Sequence, residues 1–120
     1  LKGKNKPQFS PNLPVGDGVI ILNTDKVKFS GNKNTEKKYY KHTGHPGGIK
    51  EITPDKLKEK NKSEDIIKKA IKGMLPNSPL FRDLMKNNLK LYKDANHPHE
   101  SQNPKTIDFK SQNRKNLINV

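Results

Sequence analysis

Cysteine is missing from all 120 residues, which excludes a disulfide scaffold and any thiolate metal site. Long apolar runs are missing too. None approaches the roughly 20 residues that span a bilayer, and the N-terminus carries no signal-peptide apolar core. The first residue is Leu1 rather than Met, so the chain is expected to be processed or truncated. Apolar residues are scarce: 28% of the chain, with a mean hydropathy of −1.07. Leu, Ile, Val and Phe total 27 of 120, a little above the roughly 20% below which a highly charged chain stays disordered. A small folded centre with solvated or ligand-bound arms is therefore expected. The length suits one domain.

Acidic residues are outnumbered, 12 against 25 Lys and Arg, for a net charge of +13. Such an excess repels itself in the compact state and adds nothing to stability. A polyanionic partner accounts for it, with nucleic acid first, since each neutralised phosphate releases condensed counterions, and an anionic membrane second. Arginine is nearly absent: the charge is carried by 23 Lys and 2 Arg, beside 14 Asn. Lysine makes point-charge contacts to phosphate where arginine reads bases bidentately. That balance favours backbone binding, although an A+T-rich gene produces the same composition.

Three stretches follow along the chain: a basic arm at 1–14, a folded centre at 15–95 and an extended polar tail at 96–120. The arm, LKGKNKPQFSPNLP, alternates Lys with small or polar residues, and its prolines forbid helix. After the Gly16-Asp17-Gly18 turn, Val19 to Leu22 is a strand-length apolar run suited to a strand buried on both faces. Lys26 to Ser30 alternates like a half-buried strand, and Asn32 to Lys38 is polar and mobile by composition. Between Tyr39 and Lys50, Gly44, Pro46, Gly47 and Gly48 preclude regular structure. Thr53-Pro54 opens one helix and Ser63-Glu64-Asp65 a second. The second carries Ile66, Ile67, Ala70, Ile71 and Met74 on one face, with Gly73 as a stop signal. That stripe reads as core, with a partner-protein surface as the alternative. Ser78-Pro79 opens a third helix carrying Leu80, Phe81, Leu84 and Met85, and Leu89 to Lys93 alternates as a last strand.

Motifs for catalysis are absent. There is no nucleophile elbow, no Walker loop and no dinucleotide fingerprint, and the spacing of the carboxylates selects no pair. His42 with His45 and His97 with His99 invite a metal reading, but nothing in the sequence orients either ring from behind. Contact with RNA phosphate or local backbone is the simpler reading. No cofactor is implied.

Ordered along the chain, several segments resemble the bacterial and organellar form of one family, large-subunit ribosomal protein L13. These are Leu1-Lys2-Gly3-Lys4, Gly16-Asp17-x-Val19-Ile20, Ser30-Gly31-x-Lys33 and Tyr39-Tyr40-x-His42-Thr43-Gly44-x-Pro46-Gly47-Gly48-Ile49-Lys50. Ala70 to Pro76, Leu91-Tyr92 and His97-Pro98-His99-x-x-Gln102-x-Pro104 complete the series. The resemblance fades beyond Pro104. Phe81 stands where the family usually has Gly, His45 replaces a common aromatic and Ser101 a common Ala. The strand and long helix that open the family lie before Leu1 in its pattern and are expected to be either lost or supplied by another chain.

The resemblance implies an α/β fold, a small, mostly parallel sheet flanked by helices. It implies a structural and assembly role in the large ribosomal subunit rather than catalysis, with ribosomal RNA and neighbouring ribosomal proteins as partners, and neither a membrane nor a small-molecule substrate. The residues expected at RNA are Lys2, Lys4, Lys6 and Lys33, then Tyr40, His42, Gly44, Pro46, Gly47, Gly48 and Lys50 of the Gly-rich loop, and Lys72, Arg82, His97 and His99. A free-standing RNA-binding regulator and a metal-dependent nuclease are the alternatives. Composition points to a mitochondrial ribosome, with a bacterial cytoplasm or a plastid as alternatives. The chain alone is expected to be marginally stable.

Overall fold

The structure, a computed structural model, describes residues 1–107. The last part of the expected tail lies outside them. The fold is α/β. Strand β1, Val19–Ile21, pairs in parallel with the last strand, and everything between forms the crossover. In order the crossover holds α1 (Lys33–Glu36), β2 (Tyr39–His42), β3 (Ile49–Ile52), α2 (Pro54–Glu59), α3 (Ser63–Met74) and α4 (Pro79–Asn88). Strand β4, Leu89–Leu91, follows α4 directly. The register sets Val19 against Leu89, Ile20 against Lys90 and Ile21 against Leu91. Beyond it Tyr92 N donates to Ile21 O (2.9 Å) and Thr24 N to Tyr92 O (3.1 Å), so the ladder ends on a fully buried Thr24. β2 and β3 form a separate antiparallel hairpin.

Leu57 of α2, Ile66 of α3, Phe81, Leu84 and Met85 of α4 and Leu89 of β4 are the buried apolar side chains. The core therefore lies where these helices meet β4. Ile66 follows from helical spacing, and the Leu80 to Met85 pattern is resolved into an inner face with Leu80 left outside, 41% exposed.

Several local expectations are corrected. β1 is half-buried rather than covered on both faces, because its sheet has two strands among the described residues. Lys26 to Ser30 is not a strand. A 3₁₀ turn, Thr24–Lys26, overlaps its start, and Val27 beyond it is extended, with no ladder partner among the described residues. The alternation was nonetheless informative, since Val27 and Phe29 are half-buried while Lys26, Lys28 and Ser30 are exposed. Lys58 holds the segment from the side, donating to Val27 O (2.9 Å) with its ammonium over the Phe29 ring. The polar stretch 32–38 includes the single turn of α1.

The helix starts fall as expected, but not through side-chain caps. Neither Thr53 nor Ser78 makes one. Proline at the first helical position supplies the fixed φ instead. Ser63 Oγ bonds to Asp25 and ties α3 to the 3₁₀ turn. Gly73 does not stop α3, which continues to Met74. It ends at an extended Leu75, where the following Pro76 disfavours helical backbone. The stripe on α3 is core only at its start: Ile66 is buried, Ile67 and Ile71 are half-buried, Ala70 is exposed and Met74 is 81% exposed.

Candidate nucleic-acid interface

The expected RNA-binding residues fall into separate places. In the arm, turns replace regular structure: Lys6 N donates to Gly3 O and Phe9 N to Lys6 O. Lys6 Nζ reaches back to Asp17 (2.6 Å) and Val15 O (3.2 Å), and its hydrogen bond holds the Asp17 carboxyl below the usual range. Lys2 Nζ lies 5.9 Å from the centre of the Phe9 ring and 5.3 Å from that of Phe81. Both cations are thus partly committed to their own chain, whereas Lys4 is exposed. Lys33, the first residue of α1, donates to Ser30 Oγ just before the helix.

The Gly-rich loop is the tip of the β2–β3 hairpin. Residues 40–47 are all exposed, Tyr40 by 64%. Thr43 N donates to Gly48 O and Gly48 N to His45 O, both at 3.0 Å, while Gly44 N donates to His42 Nδ1 (2.9 Å). His42 therefore closes the turn as well as facing solvent. Gly44 and Gly47 have positive φ, where an L-residue is strained. A Cβ on Gly48 would collide with Thr43 Oγ1 and approach His45 O to 2.9 Å. Gly48→Ala is expected to loosen the tip, speeding hydrogen exchange of the Thr43 amide while amides of α4 keep wild-type rates. Unchanged exchange at Thr43 would contradict this. Glycine replacements here consequently disturb the turn itself, and docking must be tested through neighbouring side chains.

The hairpin has two unlike faces. Tyr40 stands opposite Glu51 and His42 opposite Ile49 on one; Tyr39 opposite Ile52 and Lys41 opposite Lys50 on the other. Glu51 is taken by Lys38 (2.7 Å), whose ammonium pKa the carboxylate raises. Tyr39 is half-buried, and that burial raises its hydroxyl pKa. The ammonium groups of Lys37 and Lys69 lie over its ring at 5.4 and 4.5 Å, pinning the hairpin beside α3. Lys41 and Lys50 have no acidic partner among the described residues. Like charges directly opposite on a sheet are unfavourable, so this pair suits an anion. Lys41 was missed in the sequence, although alternation from Tyr39 would have paired it with a residue of the returning strand.

Lys72 and Arg82 line one groove between α3 and α4 with Lys69, Leu75, Phe81 and Met85. Lys69, three residues before Lys72 on one helix face, was also missed. His97 and His99 form a cluster with Tyr92 instead of standing free. Tyr92 Oη and His99 Nε2 are 2.7 Å apart, His99 N donates to His97 Nδ1 (3.2 Å), and the two imidazoles stack at 6.3 Å between centroids. Among the described residues no three His, Asp or Glu side chains converge on a point that could hold a metal ion. Also among the described residues, no helix is long and apolar enough to cross a membrane.

A family model described as Ribosomal protein L13 matches residues 1–98. The large ribosomal subunit protein uL13 of Methylobacterium nodulans is 49% identical over 117 residues, covering 98% of this chain and 76% of that protein. The uL13 of Geobacter sulfurreducens is 53% identical over 109 residues, covering 91% of this chain and 75% of its own. That of Brucella canis is 51% identical over 120 residues, covering all of this chain and 77% of its own.

Proposed function

The chain belongs to the ribosomal protein L13 family, and from that premise we propose that its basic surface is laid against large-subunit ribosomal RNA. The protein is a structural, non-enzymatic constituent of the large ribosomal subunit. Its match to the family over residues 1–98 carries this reading, and the net charge of +13 suits a polyanionic partner. Sedimentation tests it: the native protein should comigrate with large subunits through a sucrose gradient. Recovery only at the top of the gradient would refute it.

Within that role the RNA-facing residues are Lys4, Lys33, the hairpin tip from Tyr40 to Lys50, and the groove bearing Lys72 and Arg82. Exposed lysines and an exposed Tyr40 support the hairpin, since phosphate takes the charge and a base can stack on the ring. Tyr40→Ala combined with Lys50→Gln leaves every turn hydrogen bond in place. Competed against wild type during assembly, this variant should keep its fold and be depleted from large subunits. Equal incorporation would remove the hairpin from the interface. His97 and His99 act on RNA only at the edge of their cluster with Tyr92, which is first a device for fixing the chain after β4.

One domain, with an arm at 1–14 and a tail from 96, is the organisation this role uses. For compartment, the Lys- and Asn-rich composition favours a mitochondrial ribosome, while the bacterial relatives favour a bacterial cytoplasm. Cell fractionation decides between them.

A further inference from the structure

Gly73 lies in the last turn of α3. It does not have a positive φ, and a Cβ built on it meets no atom within 4 Å. Neither backbone conformation nor packing among the described residues requires glycine there, although glycine weakens a helix relative to alanine. A bare stretch of helix that brings no internal benefit suits close approach by something outside the chain.

The surroundings indicate what approaches. Gly73 lines an open groove of about 460 Å³ between α3 and α4. Leu75, Phe81 and Met85 give it an apolar floor, the last two buried. Lys72 and Arg82 supply cations at its edge, and no carboxylate lines it. Lys69 also lines it, but its ammonium lies over Tyr39. An apolar floor beside paired cations matches a nucleotide, which joins a flat, weakly polar base to an anion. RNA presents such units wherever a base leaves its stack at a bulge or loop.

We propose that this groove receives one unstacked nucleotide of RNA, its base over Leu75 beside Gly73 and its phosphate on Lys72 and Arg82. The proposal rests on the RNA-binding reading above and names a recognition element within it. Arg82 adds what lysine lacks, a planar fork that grips phosphate through two hydrogen bonds.

The test is Gly73→Leu in the full chain, titrated with large-subunit ribosomal RNA over a range of salt. The new side chain enters open space and improves helix propensity, so the melting temperature should hold or rise. Affinity should fall about tenfold or more as the base and its phosphate are displaced. Lys72→Gln with Arg82→Gln should flatten the logarithmic salt slope by about 1.4 to 1.8, two contacts at about 0.7 to 0.9 each. A folded Gly73→Leu that binds as wild type does overturns the proposal. If Gly73→Leu does not fold, the double Gln variant decides, and a wild-type slope overturns it. Normal RNA affinity with lost incorporation assigns the groove to a protein neighbour and likewise overturns it. Failure of wild type to bind RNA at all shows instead that the underlying reading is wrong, and this proposal falls with it.

Discussion

Raising salt from 50 to 200 mM is expected to weaken binding to large-subunit ribosomal RNA about a thousandfold. The estimate counts six cations of the proposed interface: Lys4, Lys33, Lys41, Lys50, Lys72 and Arg82. Each phosphate contact contributes a logarithmic slope of about −0.7 on single strands and −0.9 on duplex, so six give about −4 to −5. Lys6 is expected to contribute less, because it must first leave Asp17 and Val15 O. Lys6→Ala should therefore change the slope less than Lys50→Ala, because Lys50, opposite Lys41 in the hairpin register, has no acidic partner among the described residues. Filter binding over that salt range measures both. A slope near zero would show that phosphate contacts do not dominate, and equal effects of the two substitutions would show that the Lys6–Asp17 pair is immaterial on RNA.

Elements specified by local chemistry were legible in the sequence. Thr53-Pro54 and Ser78-Pro79 marked helix starts because proline imposes a helical φ wherever it sits, and Ile66 followed from helical spacing. Lys26 to Ser30 shows the limit. Its alternation correctly separates half-buried from exposed positions, yet strand formation requires a partner ladder, and the neighbour that arrives is the Lys58 side chain. Ala70 and Met74 show another: periodicity says that two residues share a face, not how far the covering elements extend along it.

The candidate interface was legible as residue types and less so as places. Lys72 and Arg82 are ten positions apart on different helices, so only the turn between α3 and α4 brings them to one groove. Lys2 and Lys6 resemble Lys4 in the sequence, but tertiary contacts with Phe81 and Asp17 commit them differently. His97 and His99 invited comparison with phosphate or metal ligands, whereas Tyr92, several residues earlier, already engages His99. Gly73 is the converse case. Read along the chain it is a helix stop; in the folded protein it lies on the wall of a groove.

Leu84→Ala is expected to destabilise the isolated chain by about 2–5 kcal/mol, the range for removing a buried leucine side chain and leaving a cavity. Leu84 is 5% exposed, one of the six buried apolar residues gathered from α2, α3, α4 and β4. Small domains start from roughly 5–15 kcal/mol, and a core this sparse belongs near the lower end, so the loss is a large share of the total. Leu84 does not line the α3–α4 groove, so the substitution reports stability rather than RNA contact. Met74→Ala provides the comparison: its side chain is 81% exposed, and its removal should stay within about 0.5 kcal/mol. Denaturant titration of both variants checks the contrast, and a Leu84→Ala loss below 1 kcal/mol would mean that the buried cluster is not the stabilising centre. RNA enters the same equilibrium. A ligand that binds only the folded form at 100 times its dissociation constant adds about 2.7 kcal/mol, comparable with the deficit. Leu84→Ala should therefore be more readily proteolysed alone than wild type, regain protection on large-subunit RNA at low salt, and lose that protection again as salt weakens the phosphate contacts.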